Sequence, residues 1–163
     1  MSRAPKTVVV GYDGTAPAER ALQRAAEYAR AFAAKVVVVS VAAPEPLVEV
    51  GVPGAFGLLP YYAYPAGDPG QVVERDEQLW EQHREHVQRL FANADLQVEF
   101  AGVAGDPAQE LVDAAEQHRA ELIIVGTREP GFLERLLGGS VSQDVARRAG
   151  CDVLIVHPGG ELS

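Results

Sequence analysis

Apolar residues occur along the chain in short runs, and between the runs their spacing becomes helical. Thr7 to Val10 is a β-branched run ended by Gly11, and Lys35 opens Val36-Val37-Val38-Val39-Ser40-Val41, a run read as fully apolar. Leu122 to Val125, ended by Gly126, and Val153 to Val156 are two more. Continuous runs of this length between turn residues mark strands buried on both faces. The stretch Leu96 to Ala101 differs, because Leu96, Val98 and Phe100 alternate with Gln97 and Glu99. Alternation gives a strand one wet face and a peripheral place in its sheet.

Helical spacing fills the gaps. From Ala18 to Ala34 the positions Leu22, Ala25, Ala26, Ala29, Phe32 and Ala33 share one face. Thr15 caps this helix, Pro17 lies in its first turn and Glu19 near its positive end. A second helix is predicted over Gln71 to Ala94 from Val73, Trp80, Val87, Phe91 and Ala94. A third starts after Gly105, with Asp106 as N-cap and Pro107 as the first helical residue, and buries Leu111, Val112, Ala114 and Ala115. A fourth spans Ser140 to Ala149 and is closed by Gly150. Strand and helix thus alternate throughout, which predicts an α/β fold: a five-stranded parallel sheet with helices on both faces and right-handed crossovers. Ligands in such sheets sit at the carboxyl ends of the strands, where the strand order reverses. The turns Gly11–Thr15, Val41 onward and Gly126–Ser142 are therefore the places for a site.

Ala42 to Gly70 fits neither period. It holds six of the eleven prolines, five glycines and three of the five tyrosines, Tyr61, Tyr62 and Tyr64. It is longer than loops usually are in compact domains. A functional flap over the site, a sticky tyrosine surface and a packed surface loop are the alternatives.

Composition narrows the function. At 163 residues the chain is expected to be a single domain spanning 1–163, and 47% hydrophobic residues suffice for a core. A net charge of −9 and the lack of a Lys/Arg cluster argue against nucleic acid. No run approaches a membrane span, and the apolar stretch near the N-terminus is too short for a signal peptide, so no membrane partner and a cytoplasmic location are expected. One cysteine, Cys151, rules out an internal disulfide and reads as a buried, inert thiol. His83 and His86, three apart on the second helix, lack further metal ligands nearby and read as packing or solvated residues. His118 is placed to cap the negative end of the third helix, and His157 has no evident partner.

Gly126 to Ser142 carries the chemistry. Gly126 ends a strand and Gly139-Ser140 opens a helix, whose free N–H groups and partial positive charge suit a phosphate. Ser140 and Ser142 add hydroxyl donors, and Arg128 and Arg135 add charge. Chain reversal and helix capping would require the same glycines. The Walker pattern and the tight dinucleotide glycine triplet are both absent.

Three segments together resemble the universal stress protein family over nearly the whole chain. They are Val8-Val9-Val10-Gly11-Tyr12-Asp13-Gly14-Thr15, Gly105-Asp106-Pro107, and Gly126-Thr127-Arg128 through Gly139-Ser140-Val141-Ser142. The last is similar to the family's Gly-x2-Gly-x9-Gly-Ser/Thr nucleotide motif. The resemblance implies a Rossmann-like sheet of order 3-2-1-4-5, of the adenine nucleotide alpha hydrolase-like kind, with the alternating strand on an edge. It also implies a small stress-response or regulatory protein that binds ATP or AMP, with Mg2+ accompanying ATP. Asp13 would contact the nucleoside and backbone near Val41 the adenine. Gly126, Arg128, Gly139, Ser140, Val141 and Ser142 would hold ribose and phosphates. The resemblance further implies a homodimer through Val153–Val156, a strand whose apolar edge is otherwise exposed.

One position departs from the motif: Glu129 stands where the second glycine is expected, followed by Pro130. A carboxylate about 5 Å from a phosphate costs on the order of 3 kcal/mol at an effective dielectric near 20. A weakened ATP site is one expectation. The alternative is a dimeric interaction protein of the same fold that has lost nucleotide binding. No general base is evident at the turn, so no catalytic residue is assigned and an enzyme is not expected, slow hydrolysis being left open.

Overall fold

The computed structural model describes residues 7–42, 48–51, 60–63, 69–127 and 141–158. Strands β1 (Thr7–Gly11), β2 (Lys35–Ala42), β5 (Val98–Ala104), β6 (Leu122–Gly126) and β7 (Asp152–Val156) form one sheet in the order β5-β2-β1-β6-β7. Every pairing in it is parallel. Counted within this sheet alone, the order is 3-2-1-4-5, and the alternating strand takes one edge. Its paired span, Val98–Ala104, lies a few residues beyond the expected Leu96–Ala101 because it follows β2 from Val36 to Ala42.

Helices α1 (Ala16–Phe32), α2 (Pro69–Phe91), α3 (Pro107–Gln117) and α4 (Val141–Arg148) cover the two faces. The side chains alternate as a pleated strand requires. Val8, Val10, Val36, Val38, Leu122 and Ile124 pack with α1 and α2. Val9, Val37, Val39, Ile123 and Val125 pack with α3 and α4. The continuous runs of β1, β2 and β6 are strands with both of these faces dry, whereas β7, at the sheet edge, is only half-buried. α1 buries alanines almost exclusively, at positions 18, 21, 25, 26 and 29 around Leu22, which brings its backbone close to the sheet.

The helix starts follow their capping chemistry. Thr15 accepts a hydrogen bond from the Ala18 N–H at 3.4 Å, and Asp106 accepts from the Gln109 N–H at 3.1 Å. Proline follows each cap within the first helical turn. α1 ends on Ala33 in the left-handed region at φ 52°, its N–H bonded to the Ala29 carbonyl.

The segment from Ala42 to Gly70 contains a feature that periodicity alone did not reveal. β3 (Val48–Gly51) and β4 (Pro60–Ala63) form a separate antiparallel ribbon, Glu49 opposite Tyr62 and Val50 opposite Tyr61. Runs of four residues between glycines and prolines are too short to display a period. Tyr64 lies outside the described residues.

Candidate functional site

β1 sits at the centre of the sheet, with β2 on one side and β6 on the other. The chain leaves β1 through α1 to β2, and later enters β6 through α3 on the opposite face. The carboxyl ends of β1 and β6 therefore flank the point where strand order reverses, the usual place for a ligand in such sheets.

Asp13 lies just past β1 and is exposed. One of its carboxylate oxygens accepts from the Thr15 N–H at 3.0 Å and from the Thr15 hydroxyl. Asp13 thus orders the turn whose next residue caps α1. Gly14 makes the turn possible at φ +78°, a conformation that favours glycine. Val41 is the penultimate residue of β2, half-buried and paired with Val103. On the other side of β1, Gly126 ends β6 opposite Val156, and the Thr127 N–H bonds the Val156 carbonyl at 3.0 Å.

Gly126 has a packing duty as well as its place in the motif. A Cβ built on it would lie 2.1 Å from the Pro17 carbonyl oxygen and 2.4 Å from its carbon. The first turn of α1 rests directly on the end of β6. The end of β6 and the first turn of α1, which follows the Asp13 turn, are thereby in close contact.

α4 begins at Val141, which is 43% exposed, and Ser142 behind it is 4% exposed. Ser142 packs on the inner side of α4 with Val145 rather than standing open at the helix mouth. Arg128, Gly139 and Ser140 lie outside the described residues, as do Glu129 and Arg135. The structure thus brings Asp13, Val41 and Gly126 to one edge of the sheet, with Val141 and Ser142 opening α4.

A cluster beside the Asp13 turn was not expected from the sequence as a unit. Among the described residues, Ser40, His83 and Ser142 are the buried polar side chains. Ser40 Oγ and His83 Nδ1 are 2.8 Å apart. Tyr12 meets His83 edge-on, ring centres 5.0 Å apart, and stacks on His86 at 5.7 Å. Glu19 completes the group, accepting from the Tyr12 hydroxyl at 3.3 Å and pairing with His86 Nε2 at 2.9 Å. His83 is therefore a packing histidine with a specific partner, and His86 is half-exposed beside Glu19. Ser40 was the available signal: it is the one polar residue in the valine run of β2, on the face that meets α2.

The charges in this cluster follow from burial. Burial, reinforced by the charge of Glu19 and its hydrogen bond, pushes the Tyr12 hydroxyl up to about 12. Burial holds His83 below its ordinary value of 6.5, with His86 acting in the same sense and Asp13 opposing. A histidine kept neutral by the fold binds fewer protons there than in the unfolded chain. Its contribution to stability is complete above pH 6.5 and is lost as the pH falls from 6.5 toward the depressed folded value. Thermal melts across this window should show the melting temperature falling on acidification, with a smaller slope for His83→Asn. Equal slopes would remove His83 as the cause.

Elsewhere, His118 is the C-cap of α3 as expected, and its ring also reaches Glu99 at 3.8 Å. His157 is exposed. Cys151 is half-buried, and burial raises its thiol above the ordinary value, which keeps it protonated. Among the described residues no group of three His, Cys, Asp or Glu could hold a metal, and no helix is long and apolar enough to cross a membrane.

A parallel sheet in this order, with helices on both faces, defines a Rossmann-like α/β protein. The universal stress protein family profile matches residues 5–157, and the chain belongs to that family. A universal stress protein of Mycobacterium tuberculosis is 33% identical over 154 residues, covering 94% of this chain and 97% of the relative. A universal stress protein solved in complex with cAMP is 30% identical, covers 94% of this chain and 98% of its own, and superposes with a TM-score of 0.64. A family member from Burkholderia pseudomallei superposes with a TM-score of 0.70 at 22% identity, covering 96% of this chain and 98% of its own.

Proposed function

We propose that this chain is a small cytoplasmic regulatory protein that binds an adenine nucleotide across the carboxyl ends of β2, β1 and β6. The observation that carries the reading is the convergence of Val41, the Asp13 turn and Gly126 at the switch point of the sheet. The 30% identical relative solved with cAMP supports the ligand class. In this reading Asp13 accepts from a nucleoside hydroxyl, and backbone at Val41 receives the adenine. Gly126, Arg128, Gly139, Ser140, Val141 and Ser142 surround ribose and phosphate. Ser142 is buried, so in this reading the partial positive charge at the amino-terminal end of α4 is what faces the phosphate there. Mg2+ would accompany ATP. No residue is assigned to catalysis; occupancy sets conformation or partner choice.

β7 lies at the edge of the sheet and carries half-buried Val153, Leu154 and Ile155. An apolar sheet edge is covered most simply by the same strand of a second copy, so the proposal includes a homodimer through Val153–Val156.

Glu129 supports a second reading, in which the dimer acts without nucleotide. Calorimetric titration of the wild type and Glu129→Gly with ATP separates the two. The nucleotide reading predicts saturable binding by both proteins, tighter in the variant. A carboxylate near the phosphates corresponds to a gain of about tenfold to a hundredfold in affinity once solvent screening is allowed for. No binding by either protein would leave the interaction reading.

A further inference from the structure

His83 contacts the turn after β1 and the carboxyl end of β2, the two walls of the proposed nucleotide cleft. Its Nδ1 is bonded to Ser40, the residue before Val41 on β2. Its Nε2 lies against Gly14, 2.9 Å from where a Cβ would stand. The ends of β1 and β2 are otherwise joined here by the Tyr12 N–H to the Val39 carbonyl, at 2.9 Å. We propose that His83 is a positioning residue of this cleft: bonded to Ser40 and seated against Gly14, it holds the Asp13 turn and the backbone at Val41 at a fixed separation. The proposal rests on the nucleotide reading above.

Three features give the ring this role rather than a general packing one. Ser40 is 1% exposed and His83 8% exposed, so their hydrogen bond is dry and without competition from water. The ring reaches in from α2, an element that supplies none of the residues expected to touch ligand, and it meets the sheet at its ligand end. Tyr12, flanked by His83 and His86, fixes the ring's position from the β1 side. The charged and titratable groups around it are Asp13 and Tyr12 following β1, Glu19 on α1 and His86 on α2. Ser40 is its partner from β2. Burial favours the neutral ring. Protonation makes both ring nitrogens donors and places a charge in this buried contact with Ser40 and Gly14. The cleft should therefore hold nucleotide less well as the pH falls.

Three variants test this: Ser40→Ala, His83→Leu and His83→Asn, the last keeping a polar atom near Nδ1. The first readout needs no ligand. Amide hydrogen exchange at Asp13, Gly14, Thr15 and Val41 in the free protein should quicken about tenfold in Ser40→Ala and His83→Leu and return toward wild type in His83→Asn. The second is cAMP affinity between about pH 5 and 8. This phosphodiester lacks the second phosphate ionisation near pH 6 that AMP and ATP carry. Ser40→Ala and His83→Leu should bind about tenfold more weakly. The wild type should weaken on acidification while His83→Asn stays flat. Wild-type exchange at the four amides in a folded His83→Leu protein would overturn the proposal. If His83→Leu does not fold, Ser40→Ala, which loses a single oxygen, decides the same question: wild-type exchange there overturns the proposal equally. If the wild type binds neither cAMP nor ATP, the nucleotide reading fails, and the exchange rates still decide the positioning claim.

Discussion

Gly126→Ala lowers the melting temperature by about 10 °C. The added Cβ would stand 2.1 Å from the Pro17 carbonyl oxygen and 2.4 Å from its carbon. Both atoms are backbone, so no rotamer change relieves the overlap. The first turn of α1 must lift from the end of β6 instead. Overpacking of a rigid contact costs about 3 kcal/mol, and a domain of this size loses about 2–4 °C per kcal/mol. Lifting α1 also moves Thr15, its N-cap, and with it the turn that Asp13 orders. Nucleotide affinity should fall in parallel with stability. Thermal unfolding followed by circular dichroism measures the first effect, and titration well below the melting temperature the second. A drop under about 2 °C would mean that α1 yields at little cost. Unchanged affinity in a destabilised protein would uncouple the turn from the packing contact.

Asp13→Ala should act in the opposite proportion, with a small loss of stability and a large loss of affinity. Asp13 is exposed and its hydrogen bonds run within its own turn, to Thr15. Surface changes of this kind cost little in folding. A hydrogen bond between a carboxylate and a ligand hydroxyl contributes about 1.5–3 kcal/mol, so affinity for ATP or cAMP should fall at least about tenfold. Asp13→Asn separates two causes. The amide oxygen still accepts from the Thr15 N–H and preserves the turn, but the negative charge is gone. If Asn binds like Asp, ordering the turn is the whole contribution. If Asn binds like Ala, the carboxylate itself meets the ligand. Wild-type affinity in both variants would remove Asp13 from the site.

The sheet was legible in the sequence because both its faces are buried. Four continuous runs of valine, isoleucine and leucine and one of alternating character mark the five strands, and the alternation places its strand on an edge; that Val153–Val156 takes the other edge does not show in its composition. Thr15 and Asp106 announced two helix starts through their own hydrogen bonds, since capping is local chemistry. The ribbon Val48–Gly51 with Pro60–Ala63 was not legible, because its pairing is set by contacts between two four-residue runs. Gly126 was recognised as a motif residue. That it also receives the Pro17 carbonyl depends on how α1 crosses β6, which spacing does not encode. The pairing of Ser40 with His83, 43 residues apart in the chain, is likewise a property of the packed α2. Its trace in the sequence was a single hydroxyl among valines, facing the histidine that lies between Trp80 and Val87 on the same helix stripe.

An adenine nucleotide at the switch point of the sheet is the core of the functional reading. Amide chemical-shift mapping of the isotopically labelled protein during titration with ATP, and separately with cAMP, tests it most directly. Occupancy of that point predicts saturable shifts concentrated at Asp13, Gly14, Thr15, Val41, Thr127, Val141 and Ser142, with the amides of α3 and of the amino-terminal strand ends unmoved. Saturable shifts centred elsewhere, or none at millimolar nucleotide, would contradict it.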